Sequence, residues 1–198
     1  MRLRWLVGLC ALIAMPSGAK AADTVKSADT VKAADTRKSA QLPKALTVLR
    51  HDRGRATGLP LPRYVSLKSD HARMRVGPST DYPVRWLYTA PGHPIEIIEE
   101  FGNWRMVRDD AGASGWMHGA LLSSRRTAIV APWLKDTAAL RRRPAETAGL
   151  IARMQPGVLL NVAQCTGTWC RVTVRNEAMS GYVAQRKLWG VYPREVVK

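Results

Sequence analysis

The sequence predicts an all-β protein built from two tandem small barrels, and three observations lead to that fold class. Residues 100–107 and 165–172 each place a two-residue link, Gly102-Asn103 or Gly167-Thr168, between strand-forming residues. Glycine supplies the positive φ that a tight hairpin turn needs, and a tryptophan follows each turn. The other strand signals are short, are separated by turn signals and recur at the same interval of about 65 residues, which indicates a duplication.

The chain begins with the features of a secretory signal peptide. Arg2 and Arg4 precede an apolar run over residues 5–15, and Ala19-Lys20-Ala21 has the small-x-small pattern of a signal-peptidase site. The apolar run is too short to act as a membrane anchor, and no later segment is apolar enough to cross a membrane. We therefore expect residues 1–21 to be removed and the mature protein to be periplasmic or secreted.

Residues 22–59 are expected to form a disordered, low-complexity basic linker. A hexad starting with Ala22-Asp23-Thr24 is written three times up to Ser39, and it contains almost no residue that a core would bury. The repeats fit either a spacer that holds the domains away from a surface or a linker without contacts. We expect disorder to continue to about Leu59.

Two units follow, over residues 60–126 and 127–198, and they can be aligned on each other. Equivalent positions lie 65 or 66 residues apart: Arg75 and Arg141, Pro78 and Pro144, Trp104 and Trp169, Val107 and Val172, Trp116 and Tyr182, Leu122 and Leu188. Each unit is near the lower size limit for an independent hydrophobic core. We therefore expect the two units to pack against each other.

The first unit resembles a bacterial SH3-like domain, as found in tandem in exported proteins of Gram-negative bacteria. The motifs that carry the resemblance are Arg63–Lys68, Met74–Ser79, Ile95–Ile98, Trp104-Arg105 and Gly115–His118. The second unit departs from them, because Arg142-Arg143 replaces Val76-Gly77 and Tyr182 replaces a tryptophan. The resemblance spans residues 63–189. It implies barrels of five to six strands that bind rather than catalyse, often with cell-wall or envelope functions.

The two-residue turns fix which residues face each other across each hairpin. In the first unit Glu100 faces Arg105, which we expect to be an exposed ion pair worth about 0.2–1 kcal/mol. In the second unit Cys165 faces Cys170, close enough for a disulfide. The spacing is C-x4-C rather than C-x-x-C, so a structural bridge is favoured over a redox pair.

Four aromatic residues near these turns are candidates for a ligand groove: Trp104, Trp116, Trp169 and Tyr182. Aromatic rings at such positions can stack on a sugar face or on the prolines of a peptide. They can equally pack in the barrel core or between the units. The sequence leaves both interpretations open.

The charge of the chain is strongly basic and uneven. The formal net charge is +16, and residues 126–198 alone carry 12 basic and 4 acidic side chains. The densest run, Arg141-Arg142-Arg143, is a candidate anion-binding site, although it also fits a solvated basic surface. Wall carboxylates, lipid head groups, lipopolysaccharide phosphates or an acidic protein are suitable partners, whereas nucleic acid is not expected for an exported chain.

No catalytic motif accompanies these features, and no cofactor or metal site is indicated. Nucleophile motifs and metal-ligand spacings are missing from the sequence. The carboxylates Glu96, Glu99 and Glu100 lie close together, but the second unit does not repeat them. The leading hypothesis is a non-catalytic exported protein that engages peptidoglycan or another anionic envelope component. The alternative is a periplasmic adaptor that binds a peptide or partner enzyme through its SH3-like grooves.

Overall fold

The computed structural model describes residues 52–198, so the predicted signal peptide and the hexad repeats lie outside the described range. The described chain contains two antiparallel sheets and two single-turn 3-10 helices, Gly119–Leu121 and Gln185–Lys187, and no α-helix. The predicted all-β fold class with two tandem units is confirmed.

The first sheet has seven strands: β1 (Arg63–Leu67), β2 (Ala72–Arg75), β3 (Val84–Tyr88), β4 (Pro94–Phe101), β5 (Trp104–Arg108), β6 (Ser114–His118) and β7 (Leu122–Ser123). Their order across the sheet is β3-β2-β6-β5-β4-β1-β7. We call this unit the first domain. The strand β3 therefore forms one edge of the sheet and pairs with β2 alone among the described strands.

The second sheet has eight strands: β8 (Thr127–Val130), β9 (Ala138–Arg141), β10 (Leu150–Met154), β11 (Leu159–Thr166), β12 (Trp169–Val174), β13 (Ser180–Ala184), β14 (Leu188–Trp189) and β15 (Val196–Val197). The order β10-β9-β13-β12-β11-β8-β14 repeats that of the first sheet, strand for strand, and β15 adds to β11. This unit is the second domain. The duplication inferred from the sequence is thus present in the topology.

Each domain encloses its own hydrophobic core. Along β5 and β6 of the first domain, Val107 and Met117 are fully buried, and Leu160 and Val172 occupy the core of the second domain. Side chains on a strand alternate between its two faces, so the residues between these core positions point outward. These outward positions carry the residues of the candidate site.

The hairpin turns form as predicted and set the strand register. Gly102 has φ 51° and Gly167 has φ 96°, the left-handed region that glycine adopts without steric cost. Glu100 lies opposite Arg105 on the neighbouring strand. Cys165 lies opposite Cys170, and their sulfur atoms are 1.99 Å apart, so the predicted disulfide is confirmed.

The expectation of an exposed Glu100–Arg105 ion pair is wrong, because the side chain of Glu100 is completely buried. Arg105 Nε lies 3.5 Å from the carboxylate, but Arg63 Nη2 is closer, at 2.6 Å. The hydroxyl and backbone N–H of Thr57 and the N–H of Ala56 also donate to the carboxylate, at 2.8–3.1 Å. Glu100 therefore organises a buried polar cluster.

The donors at Thr57 and Ala56 belong to a short segment, residues 53–60, that the carboxylate fastens to the first domain. Its ends meet in a bridge between Arg53 and Pro60. A Cβ at Gly54 would overlap the Glu100 carboxylate, so the segment can approach this closely only with glycine there. The expected disorder up to about Leu59 is therefore wrong for residues 52–59.

The two domains pack against each other through aromatic residues other than those proposed for the groove. Tyr64 of β1 contacts Trp189 and Tyr192 of the second domain, with ring centroids 5.2 and 4.6 Å apart. The hydroxyl of Tyr192 donates to Glu96, whose other oxygen accepts from Arg108 at 2.6 and 2.9 Å. The contact between the units that their small size led us to expect is present.

Replacing Glu100 by Gln removes a buried charge and should change the pH dependence of stability. Burial alone raises the pKa of Glu100, but hydrogen bonds from Arg63 and Thr57 outweigh it and lower the pKa from 4.5 to about 2. Stability from a carboxylate with a lowered pKa is complete above about pH 5 and is lost as the pH falls toward 2. We expect E100Q to lose roughly 2–4 kcal/mol at neutral pH and to show a flatter pH profile below about pH 5.

Denaturant titrations at a series of pH values measure this effect. Glu99→Gln is the matched control, because Glu99 is the exposed neighbour on the same strand and should leave stability nearly unchanged. Parallel pH profiles for wild type and E100Q would contradict the role assigned to the buried carboxylate.

Removing the disulfide should destabilise the second domain. In the chain-entropy model a bridge that closes so short a loop contributes about 2 kcal/mol, so C165A/C170A should lower the free energy of unfolding by about that amount. Thiol titration of the oxidised mature protein should find no reactive group. Two titratable thiols, or wild-type stability in the double variant, would show that the bridge has no structural role.

Candidate functional site

The first domain presents an aromatic face on the outward side of its sheet. On β6 the residues Gly115 and Met117 are buried, and Trp116 between them is only half-buried and points away from the core. Trp104 on β5 lies opposite His118, and their rings meet edge to face at 5.5 Å. Both tryptophans are therefore on the outward face.

The register places these two tryptophans beside each other. Met106 on β5 lies opposite Trp116, and Arg75 on β2 flanks Trp116 from the other side. Because Trp104 and Met106 are two residues apart, Trp104 and Trp116 are diagonal neighbours within reach of a common ligand. We call Arg75, Trp104, Met106 and Trp116 the aromatic face.

The second domain presents the equivalent surface with different chemistry. Trp169 on β12 lies opposite Ala184, and Tyr182 on β13 lies opposite Arg171. Arg141 on β9 flanks Tyr182 from the other side. Trp169 and Tyr182 are again diagonal neighbours, but a guanidinium replaces the thioether between them. We call Arg141, Trp169, Arg171 and Tyr182 the cationic face.

None of the four predicted aromatic positions belongs to either core. Each is partly exposed, whereas core positions on the same strands are closed to solvent. The contacts between the domains are made by Tyr64, Trp189 and Tyr192 instead. The structure thus places the four aromatics in two pairs, one on each domain, outside the two clusters of buried core residues.

The three consecutive arginines do not form one uniform site. Arg141 is about four-fifths buried, donates to the carbonyl of Ala148 at 2.7 Å and lies 3.7 Å from Glu146. Arg186, whose side chain is exposed, donates to the same carboxylate at 2.9 Å. Arg142-Arg143 projects from the following turn and is exposed. One carboxylate therefore fixes two guanidinium groups beside the cationic face, while the next two arginines stay in solvent.

Sequence reasoning missed Arg171 and Arg186 as members of this site. The signal for Arg171 was available, because it lies two residues after Trp169 and therefore on the same face of the strand. Arg186 gave no such signal, since its position depends on the 3-10 turn that follows β13.

The clustered carboxylates of the first domain are engaged in structural contacts. Glu96 binds Arg108 and Tyr192, and Glu100 binds Arg63 and Thr57, while Glu99 is exposed on the other side of the strand. Within residues 52–198, no group of three or more His, Cys, Asp or Glu side chains is placed to hold a metal ion. In the same range no helix has the length and apolar character needed to cross a membrane.

Two small antiparallel β-units with the same strand order define the architecture of a tandem small-barrel protein. A family model described as "Bacterial SH3 domain" matches residues 68–124 and again residues 134–190, which together make up more than half of the chain. The chain belongs to the bacterial SH3 domain family. The resemblance noted in the sequence is thereby confirmed.

Solved structures similar to this chain include NlpC2 from Trichomonas vaginalis, with 11% identity over 65% of this chain and 48% of that one, at a TM-score of 0.28. An NlpC/P60 family protein from Bacillus cereus ATCC 10987 has 13% identity over 64% of this chain and 55% of that one, at a TM-score of 0.29. This chain thus spans about half the length of either protein. No curated protein matches the sequence.

Truncating an aromatic residue of the cationic face should cost little stability, because an outward ring supports no core. We expect Tyr182→Ala to lower the free energy of unfolding by about 1 kcal/mol or less, and Leu160→Ala, in the same domain, by about 2–5 kcal/mol. Thermal or denaturant unfolding of the two variants measures the difference. Equal losses would place Tyr182 in the core in solution.

Proposed function

We propose that this protein is an exported, non-catalytic binding protein that engages peptidoglycan or another anionic component of the cell envelope. The observation that carries the proposal is the cationic face, where Arg171 lies between Trp169 and Tyr182 and Arg141 flanks Tyr182. Aromatic faces suit sugar rings, and guanidinium forks suit carboxylates and phosphates. A polymer of sugars that carries acidic groups matches both.

The charge around this face supports an anionic ligand. Arg142-Arg143, Arg171 and Arg186 are exposed, and the carboxylate of Glu146 pairs with Arg141 and Arg186. Arg141 and Arg186 are positioned in advance through Glu146, which reduces the entropy lost when a ligand binds. Residues 126–198 carry a net charge of +8, which favours the approach of a polyanion.

Export is supported by the signal-peptide pattern of residues 1–21 and by the disulfide, since disulfides persist mainly outside the cytosol. The absence of catalysis is supported by the use of Glu96 and Glu100 in structural contacts. With these carboxylates committed to arginines, neither is placed to exchange a proton with a substrate.

The first domain favours a second candidate function, that of a periplasmic adaptor. Its aromatic face has Met106 where the second domain has Arg171, and Phe101 is exposed beside Trp104. A flexible thioether between aromatic rings suits an apolar peptide rather than a polyanion. The two domains could therefore serve different ligands within one chain.

Co-sedimentation of residues 22–198 with purified sacculi tests the proposal. The informative variant is R171M/R142V, which installs the residues that the first domain has at the equivalent positions. Since two exposed ion pairs are worth about 0.2–1 kcal/mol each, the Kd for sacculi should rise about two- to thirtyfold. Added salt should weaken wild-type binding in the same direction.

The matched control is R125M/K135V, which removes the same charge at exposed positions outside the cationic face. It should keep wild-type affinity, so that an effect of net charge alone is distinguished from an effect of the site. Failure of the wild-type protein to bind sacculi, with recovery of a defined periplasmic protein, would replace the proposal with the adaptor function. Hydrolysis of the sacculi would overturn both.

A further inference from the structure

The hairpin formed by β2 and β3 of the first domain exposes an unusual amount of apolar surface. Of the eleven large apolar side chains that are exposed among residues 52–198, five lie on this hairpin: Val76, Tyr82, Val84, Trp86 and Leu87. Trp86 is 53% exposed and Leu87 is 50% exposed. Contiguous exposed apolar patches commonly mark interaction surfaces.

The strand that carries most of these side chains is also an unfinished sheet edge. In the described part of the chain, β3 pairs with β2 and with no other strand. Its outer backbone groups are therefore available to a further strand. A bulge between Met74 and Arg75 interrupts the β2–β3 pairing near Val84, so the regular portion of the edge runs from Trp86 to Tyr88.

The second domain shows that the fold does not require this apolar edge. At the positions of Val76, Tyr82, Trp86 and Leu87 it has Arg142, Ala148, Ala152 and Arg153, whereas Leu150 keeps the apolar character and exposure of Val84. It builds the same hairpin from β9 and β10. Four of the five apolar residues of the first domain are thus not needed to form this barrel architecture. Their exposure carries a solubility cost that an interaction would offset.

The charges beside the edge define the partner. Arg73 lies opposite Leu87 across the hairpin, and Arg73 and Arg85 are both exposed. Trp86 lies opposite Met74, and its side chain is on the opposite face of β3 from that of Leu87. A strand added to β3 would place alternate side chains on these two faces. Apolar residues on one face would cover Trp86, and carboxylates on the other would meet the arginines.

We propose that β3 is a docking edge for an extended segment of a partner protein in which apolar and acidic residues alternate. The partner segment adds a strand to the first sheet, covers Trp86 with its apolar residues, and pairs with Arg73 and Arg85 through its carboxylates. The edge strand β3 contributes no residue to the aromatic face or the cationic face, although Arg73 lies on β2 together with Arg75 of the aromatic face. Binding through backbone hydrogen bonds supplies affinity, and the alternation supplies selectivity.

Two other occupants fit the observations less well. A lipid bilayer would attract Trp86 and the arginines, but the unpaired backbone groups of β3 would lose their water without gaining partners in hydrocarbon. A second copy of this chain would bring Arg73 and Arg85 of both molecules together along the paired edges, where like charges repel. An acidic strand satisfies the backbone and the charges at once.

Titration with a blocked peptide of four Val-Glu repeats tests the inference, with NMR spectra of 15N-labelled residues 22–198 as the readout. We expect amide shifts concentrated in residues 84–88 and a Kd that rises with salt. The key variant is Trp86→Ala, which copies Ala152 of the second domain and should therefore fold. It should weaken binding about tenfold or more, since the buried tryptophan area alone is worth over 1.4 kcal/mol.

The matched control is Trp133→Ala, which removes a tryptophan of similar exposure, 59%, outside the hairpin. It should bind the peptide as wild type does. A peptide with Lys in place of Glu, and one methylated on alternate backbone nitrogens, should not bind.

Four results would overturn the inference. They are the absence of shifts in residues 84–88, equal loss of binding in W133A, binding to anionic phospholipid vesicles that W86A abolishes, and a concentration-dependent dimer that the same variant disrupts.

Discussion

The structure of both domains depends on the two-residue hairpin turn. A glycine with positive φ at the first turn position fixes the pairing of the residues next to the turn, as far as a bulge between Ile97 and Glu99 in the first domain and between Val162 and Gln164 in the second. A shift of one residue would exchange the core face and the outward face. The same register closes the Cys165–Cys170 bridge and positions Trp104 and Trp169 on the outward surface. Core, disulfide and candidate site therefore rest on one local constraint.

Because the two domains are copies of one another, the residues of one domain can be compared with those of the other, position by position. Where both domains keep a residue type, as with Trp104 and Trp169, the residue occupies the equivalent position in the two sheets. Where they differ, as with Met106 and Arg171, the fold tolerates either residue and the difference is available to ligand choice. Stability and binding can be separated in this way because the two copies have the same strand order.

Local sequence rules predicted the fold class, the hairpin register and the disulfide, because each depends on residues within a few positions of a turn. They did not predict the burial of Glu100, since its partners Thr57 and Arg63 lie 43 and 37 residues away. They also could not decide whether Trp116 was core or surface, because that depends on which face of β6 the remaining strands cover. Long-range contacts of this kind have no local signature, and for the same reason residues 52–59 were assigned to the linker.

The cluster around Glu100 also has a mechanical consequence. The chain enters the first domain through residues 53–60, and the carboxylate holds this segment by contacts to Thr57 and Ala56 before β1 begins. Tension on the chain upstream of the segment would reach these hydrogen bonds ahead of the strand ladder. The load would therefore fall first on a buried carboxylate, and β1, which pairs with both β4 and β7, would be shielded from peeling until those contacts gave way.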